Sequence, residues 1–190
     1  SGQKMFRLLQ GDVGSGKTIV ALTSILNVIN SKFQVAFMAP TEILAQQHYN
    51  LAKSLLPDNV KIDILTSKTD NKIRKKIIND LENHQIDLLI GTHSLFQNKI
   101  NYRKLGLIII DEQHKFGVKQ RKKLSDKGGK NCDILVMSAT PIPRTMIMTI
   151  FGDMDVSIIK SKPKNRKEIT TLSKLDLSLI HISEPTRRVF

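Results

Sequence analysis

The eight residues Gly11-Asp-Val-Gly-Ser-Gly-Lys-Thr18 fit the pattern G-x-x-x-x-G-K-[ST] and constrain this chain more than any other feature. A strand predicted at 6–10 precedes them and a segment of helical period starts at 17, so the glycines fall where a strand turns into a helix. Glycines in that place let successive backbone N–H groups face inward around phosphates, aided by the positive end of the following helix. Lys17 is then the residue that reaches the β- and γ-phosphates, and the Thr18 hydroxyl is the Mg²⁺ ligand. Gly11, Gly14, Ser15 and Gly16 complete the expected cradle. The alternative is a glycine-rich turn that merely ends in Lys-Thr, with both flanks coincidental.

The rest of the chain repeats the same alternation. Apolar stretches predict strands at 6–10, 34–38, 61–65, 87–90, 107–110 and 133–137, and helical periodicity predicts helices at 17–30, 42–56, 72–83, 118–125 and 144–151. Leu107-Ile-Ile-Ile110 is apolar on both faces, as a parallel strand covered by helices on each side must be. Pro40 and Thr41 set the entry of the second helix, with Thr41 as its cap, and Lys127-Gly-Gly-Lys130 reads as a basic surface turn. No internal repeat is visible. The expectation is an α/β doubly wound, mainly parallel sheet.

Composition bounds the remaining choices. A chain of 190 residues with 40% hydrophobic content holds one ordinary domain with a single core. No apolar run approaches the ~18–20 residues of a membrane-spanning helix, so no membrane partner is expected. One cysteine, Cys132, excludes an intrachain disulfide and a thiolate metal cluster, which suits a reducing, cytoplasmic compartment; the first residues show no signal peptide. The opening Ser1 in place of Met suggests that the start is missing. The formal charge of +13 favours a polyanionic partner such as nucleic acid, although a coding bias toward Lys would raise it too.

Texture changes after Gly152. The basic, proline-containing stretch 160–176 reads as a linker leaving a domain that occupies 1–159. Residues 177–190, which include Leu177-Ser-Leu-Ile-His-Ile-Ser-Glu-Pro-Thr-Arg-Arg188, resemble the conceptual translation of a sequencing-library adapter; the alternative is a short genuine strand. That tail holds two Arg and one Glu, so the basic balance does not depend on it.

Asp111-Glu-Gln-His114 follows directly on the apolar strand at 107–110. A carboxylate at the carboxyl end of a parallel strand points into the crevice where nucleotides bind, so Asp111 is the second expected Mg²⁺ ligand. Glu112 is the carboxylate expected to polarise the attacking water. A GTPase would need Asn-Lys-x-Asp, and Asn71-Lys72-Ile73-Arg74 lacks the Asp; the Ser-Gly-Gly signature of transporter ATPases is also absent. Ser138-Ala-Thr140 instead follows the next strand, and Asp-Glu-x-His with Ser-Ala-Thr is similar to the pairing of superfamily 2 helicases.

Seven segments sharpen that resemblance. These are 7–18, Ala39-Pro-Thr-Glu-Ile-Leu-Ala-Gln-Gln-His48, Gly91-Thr-His-Ser-Leu95, 110–114, Phe116-Gly-Val-Lys-Gln-Arg121, Ser138-Ala-Thr-Pro-Ile-Pro-Arg-Thr145 and Gly152-Asp-Met-Asp-Val-Ser157. Together, over about residues 5–171, they resemble the bacterial RecG family of ATP-dependent DNA translocases. The transcription-repair coupling factors are the alternative; they typically carry other residues at Ser15, Glu42 and Gln113. The resemblance implies a RecA-like P-loop NTPase fold, ATP and Mg²⁺ as cofactors, and branched or double-stranded DNA as partner. It also implies a missing second motor domain with arginine fingers and a missing N-terminal wedge domain.

By the same resemblance, Pro40, Thr41, Gly91 and Thr92 are DNA-backbone contacts. Gln113 and His114 couple the γ-phosphate to Ser138 and Thr140. Hydroxyls and backbone N–H groups at strand ends suit phosphate binding without base readout. Three departures stand out: Lys115 where Arg is usual, Leu65-Thr-Ser-Lys68 without the usual Gly, and Asn165 for Gly. His48 and His84 lie on predicted helices without a second ligand at metal spacing, and Cys132 reads as a buried thiol. Lys72, Arg74, Lys75 and Lys76 read as a solvated face rather than a DNA groove. The chain alone is expected to bind Mg-nucleotide, to hydrolyse little and not to unwind. A stand-alone nucleotide- or DNA-binding module remains the reading from a different class.

Overall fold

The structure is a computed structural model that describes residues 4–97, 100–111, 132–140 and 154–160. Seven strands run in chain order as β1 (Phe6–Gly11), β2 (Gln34–Met38), β3 (Ile62–Leu65), β4 (Leu88–Gly91), β5 (Leu105–Asp111), β6 (Asp133–Ser138) and β7 (Asp155–Ile159). They form one sheet in the order β3-β4-β2-β5-β6-β1-β7, and every pairing is parallel. The described helices are α1 (Lys17–Asn30), α2 (Glu42–Leu55) and α3 (Asn71–Glu82), with a short 3-10 turn at His93–Phe96.

Strand alternation divides the core in two. Leu9, Val35, Phe37, Leu107, Ile109 and Leu135 point to the face covered by α1 and α2. Leu8, Ala36, Met38, Ile108, Ile110 and Val136 point to the opposite face, where α3 contributes Ile77 and Leu81. The hand of the crossovers explains this division. The chain travels from β1 to β2 to β3 in one direction across the sheet, then reverses from β3 to β4; right-handed connections must therefore put α3 on the other side. Apolar residues on both faces of the central strands follow directly.

Local signals set the helix ends. Thr41 caps α2, its Oγ1 accepting from the Leu44 N–H at 3.3 Å, and Asp70 caps α3 by accepting from the Lys72 N–H at 2.7 Å. Ala45 and Ala52 are the buried positions of α2, small enough for close approach to the sheet. Behind the strands, the buried Gln34 amide satisfies all of its surroundings. Its Nε2 donates to the Leu81 and Ile86 carbonyls at 2.9 Å each, and its Oε1 accepts from Arg103 and Lys104 N–H groups at 2.8 and 3.1 Å.

The sequence expectation of a doubly wound parallel sheet holds. One strand was not anticipated: β7, whose exposed edge pattern offers no apolar run. It is held by its pairing with β1 and by Arg7, which donates to Ser157 Oγ at 2.9 Å and pairs with Asp155 at 3.0 Å. The helices expected at 118–125 and 144–151 and the tail 177–190 lie outside the described residues, as does the linker beyond Lys160.

Candidate functional site

The carboxyl ends of all seven strands share one edge, as parallel pairing requires. At the end of β1 the chain turns through Gly14 (φ 80°) and Gly16 (φ 93°, ψ 13°) before entering α1. A side chain is strained in that left-handed region, so the turn depends on glycine. No side chain caps α1 and no acidic residue stands in its first turn; the Ile19 N–H is taken by the Gly16 carbonyl at 3.0 Å, and the start of the helix keeps its positive dipole end for an anion.

Lys17 folds back over this turn. Its Nζ donates to the carbonyls of Gly11 at 2.6 Å and Asp12 at 2.9 Å, which leaves one of three donors uncommitted. Ser15 N–H donates to the Asp12 carbonyl at 3.0 Å and closes the loop, while Ser15 Oγ is buried with no hydrogen-bond partner. An orphan hydroxyl, an uncapped helix start and an ammonium lying across the loop form a donor set that fits the phosphates of a nucleotide. Thr18 is half-buried in the first turn of α1.

Asp111 is the last residue of β5, two strands from β1 with β6 between, a separation of about 10 Å at normal strand spacing. Its Oδ2 accepts from His48 Nε2 of α2 at 2.7 Å. Among the described residues no three His, Cys, Asp or Glu side chains cluster as metal ligands. Magnesium bound with a nucleotide does not need such a cluster: one or two protein oxygens and the phosphates complete its shell. One hydroxyl and one carboxylate, Thr18 and Asp111, suit that chemistry.

Between these two strands, β6 ends in Ser138, which is buried, while Thr140 beyond it is exposed. Their hydroxyls are 3.0 Å apart, and Ser138 Oγ also accepts from the Thr140 N–H at 3.2 Å. Gln10, opposite Ser138 in the β1–β6 register, donates from Nε2 to the Thr140 carbonyl at 3.1 Å. The strand that carries the glycine loop is thereby hydrogen-bonded to the Ser-Ala-Thr turn. Neither Gln10 nor His48 was singled out as a site residue from sequence. The signal for Gln10 is a polar residue following Leu8 and Leu9 at the end of β1; for His48 it is only its place at the end of the segment 39–48, which does not say what the ring meets.

The ends of β2, β3 and β4 form the other half of this edge. Thr41 is exposed and Pro40 half-buried; Gly91 is buried and Thr92 half-buried. A Cβ on Gly91 would collide with the Leu65 carbonyl oxygen of β3, so glycine there has a packing reason of its own. Side chains stitch these loops together. Ser67 Oγ donates to Glu42 Oε1 at 2.5 Å and Lys68 pairs with Glu42 at 3.3 Å. That hydrogen bond from Ser67, with Lys68 beside it, holds the Glu42 carboxyl below the usual carboxylate range. Arg74 donates to Gln97 Oε1 at 2.9 Å and to the Thr66 carbonyl at 3.0 Å. Lys72, Lys75 and Lys76 are exposed, as expected of a solvated face, but Arg74 is a cross-link.

Glu112, Gln113 and His114 lie outside the described residues, as does Lys115. Cys132 is buried, and that burial pushes its thiol up to about 12. Among the described residues, no helix is long and apolar enough to cross a membrane.

A profile of the DEAD/DEAH box helicases matches residues 1–149, and the chain belongs to that family. Within it, the chain is similar to the ATP-dependent DNA helicase RecG of Borreliella burgdorferi, 51% identical over 172 residues. Those residues are 90% of this chain and 25% of the relative. RecG of Thermotoga maritima is 51% identical over 173 residues, 90% of this chain and 22% of the relative. The chain thus spans about a quarter of the length of these curated relatives. A solved structure of RecG bound to a three-way DNA junction superposes with a TM-score of 0.75 at 47% identity, covering 89% of this chain and 22% of that one. A DEAD box protein from Methanococcus jannaschii, at 22% identity and a TM-score of 0.62, covers 82% of this chain and 46% of its own; it shares the fold.

Proposed function

We propose that this chain is the ATP-binding first motor domain of a RecG-like DNA helicase that remodels branched DNA in bacterial repair and recombination. The observation that carries the proposal is an arrangement. The glycine turn after β1, the Asp111 carboxylate after β5 and the Ser138–Thr140 turn after the intervening β6 stand at one sheet edge, in a chain about half identical to RecG helicases over nine-tenths of its length. The solved relative is bound to a three-way DNA junction, which supports branched DNA as the partner.

The chemistry follows from the parts. The turn at Gly11, Gly14, Ser15 and Gly16 presents backbone N–H groups to the phosphates. Lys17 exchanges its two carbonyl partners for the β- and γ-phosphates, a charge-assisted contact stronger than the one it leaves. Thr18 and Asp111 would hold Mg²⁺, which would neutralise charge that develops on the transferred phosphoryl group. Glu112 takes the proton of the attacking water, and Gln113 and His114 sense the γ-phosphate. Ser138 and Thr140 pass that state toward the DNA, with Gln10 as the bond between β1 and the relay. Pro40, Thr41, Gly91 and Thr92 meet the phosphate backbone without reading sequence.

The domain layout we propose is a motor domain at 1–159, a linker at 160–176 and a non-native tail at 177–190. The working unit is longer, with a second motor domain and a wedge domain, in the bacterial cytoplasm. An arginine finger from the second motor domain is worth about 10³–10⁵ in rate, so this chain alone binds nucleotide but turns it over slowly. Forked-DNA unwinding and ATP turnover, measured side by side in the full-length helicase, test the proposal. Glu112→Gln is expected to keep nucleotide affinity and lose about 10²–10⁴-fold in hydrolysis. Normal turnover in that variant, or sustained unwinding by the 190-residue chain alone, contradicts it.

A further inference from the structure

His48 does something that its place on a helix does not require. Helix α2 docks on the sheet through Ala45 and Ala52, yet His48 is nearly as well buried, with its side chain 11% exposed against 13% for Asp111. Its ring lies over Phe37 of β2, with centroids 4.6 Å apart and planes tilted by 32°. That contact fixes the ring and aims Nε2 past β2 at the end of the neighbouring β5, 2.7 Å from Asp111 Oδ2. An ionised carboxylate only accepts, so Nε2 carries the hydrogen. Oδ1 has no partner among the described residues.

We propose that His48 is a positioning residue for Asp111: it locks the carboxylate rotamer so that Oδ1 stays available to the magnesium ion of the bound nucleotide. The inference rests on the reading of Asp111 as a magnesium ligand. Carboxylates that bind metals work best when their second oxygen is held by a donor, and outer partners of this kind are worth about 10–100-fold in metal affinity. A strand end gives Asp111 no such restraint by itself. Phe37 makes the hold rigid, because an indexed ring needs no further ordering when the ion arrives.

The test is a titration of the 190-residue chain with a fluorescent ATP analogue, in EDTA and in excess Mg²⁺; the ratio of the two dissociation constants is the affinity that magnesium adds. His48→Ala is expected to cut that ratio about 10-fold or more while leaving the EDTA value unchanged. His48→Gln, which offers an amide donor at similar reach, is expected to restore most of it. In an Asp111→Asn background, His48→Ala is expected to change nothing further. Thermal melting of each variant accompanies the titration, and His48→Gln answers the question if His48→Ala does not fold.

An unchanged ratio in His48→Ala overturns the proposal, as does an equal loss in EDTA and Mg²⁺, which marks a purely structural role. A full loss in His48→Gln overturns it too. If the wild-type chain binds the analogue but gains nothing from magnesium, the assignment of Asp111 and Thr18 falls first and this inference falls with it. Failure of the wild-type chain to bind the analogue at all overturns both.

Discussion

The two halves of the sheet's carboxyl edge are made differently. Around β1, β5 and β6 the polar groups sit low and bond to one another: His48 to Asp111, Ser138 to Thr140, Gln10 to the Thr140 carbonyl, Lys17 to its own loop. Around β2, β3 and β4 the links are more exposed and each runs through a charged side chain: Glu42 to Ser67 and Lys68, Arg74 to Thr66 and Gln97. The first arrangement suits a small, highly charged ligand that must be met with fixed geometry. The second suits a polymer whose backbone is met at several points without base readout. Hydrogen bonds in buried surroundings resist rearrangement, whereas exposed links through charged side chains contribute little and can be exchanged for phosphate.

Substitutions at the β2–β4 end give the comparison an energetic scale. Gly91→Ala has the largest expected cost there, because its Cβ meets the Leu65 backbone, which cannot swing aside as the Leu95 side chain beside it can. A loss of about 3 kcal/mol, the upper end for overpacking, is expected in denaturant unfolding. A neutral result would mean that β3 and β4 can separate at their ends. Arg74→Ala removes two bonds and leaves the half-buried Thr66 carbonyl with only the long 3.4 Å bond from the Thr69 N–H, for about 1 kcal/mol. Arg74→Lys should recover little of it, since an ammonium cannot span both acceptors as the guanidinium fork does. Full recovery by Lys would reduce the link to charge alone.

Cys132 provides the smallest effect and a pH test away from both ends. Its thiol is raised by burial to about 12, so the native chain keeps it protonated and unreactive at pH 8. Because the folded value lies above the unfolded one, the neutral thiol favours the native state below about pH 8.5. That advantage is lost as pH rises from there toward 12. Alkylation at pH 8 should therefore follow unfolding, and fast labelling of the native chain would mean that the strand opens locally.

Most of the sheet was readable because its strands are buried on both faces and announce themselves as apolar runs. The predicted strand at 107–110 proved longer, β5 beginning at Leu105, because Gly106 sits where the pairing with β2 slips between Gln34 and Val35. β7 was silent for the opposite reason: Asp155-Val-Ser-Ile-Ile159 forms an edge strand with half its residues toward solvent, and its identity as a strand comes from Arg7 and β1. Among candidate site residues, the glycine turn was readable because its chemistry is local in sequence. His48 was not, since its partner is 63 residues away and nothing in a helical stretch marks a histidine that crosses a strand. Arg74 was grouped with three lysines by charge, and only geometry separates it from them.

The division of labour between the two ends is tested most directly by paired binding titrations of this chain, with Mg-nucleotide and with a three-way DNA junction at low salt. Lys17→Ala is expected to lose at least about 10-fold in nucleotide affinity, one charge-assisted contact or more, and to keep its affinity for the junction. Thr41→Ala combined with Thr92→Ala is expected to do the reverse. If both variants lose both ligands equally, or neither loses either, the two ends do not act as separate sites and the assignment of nucleotide to one and DNA to the other is wrong.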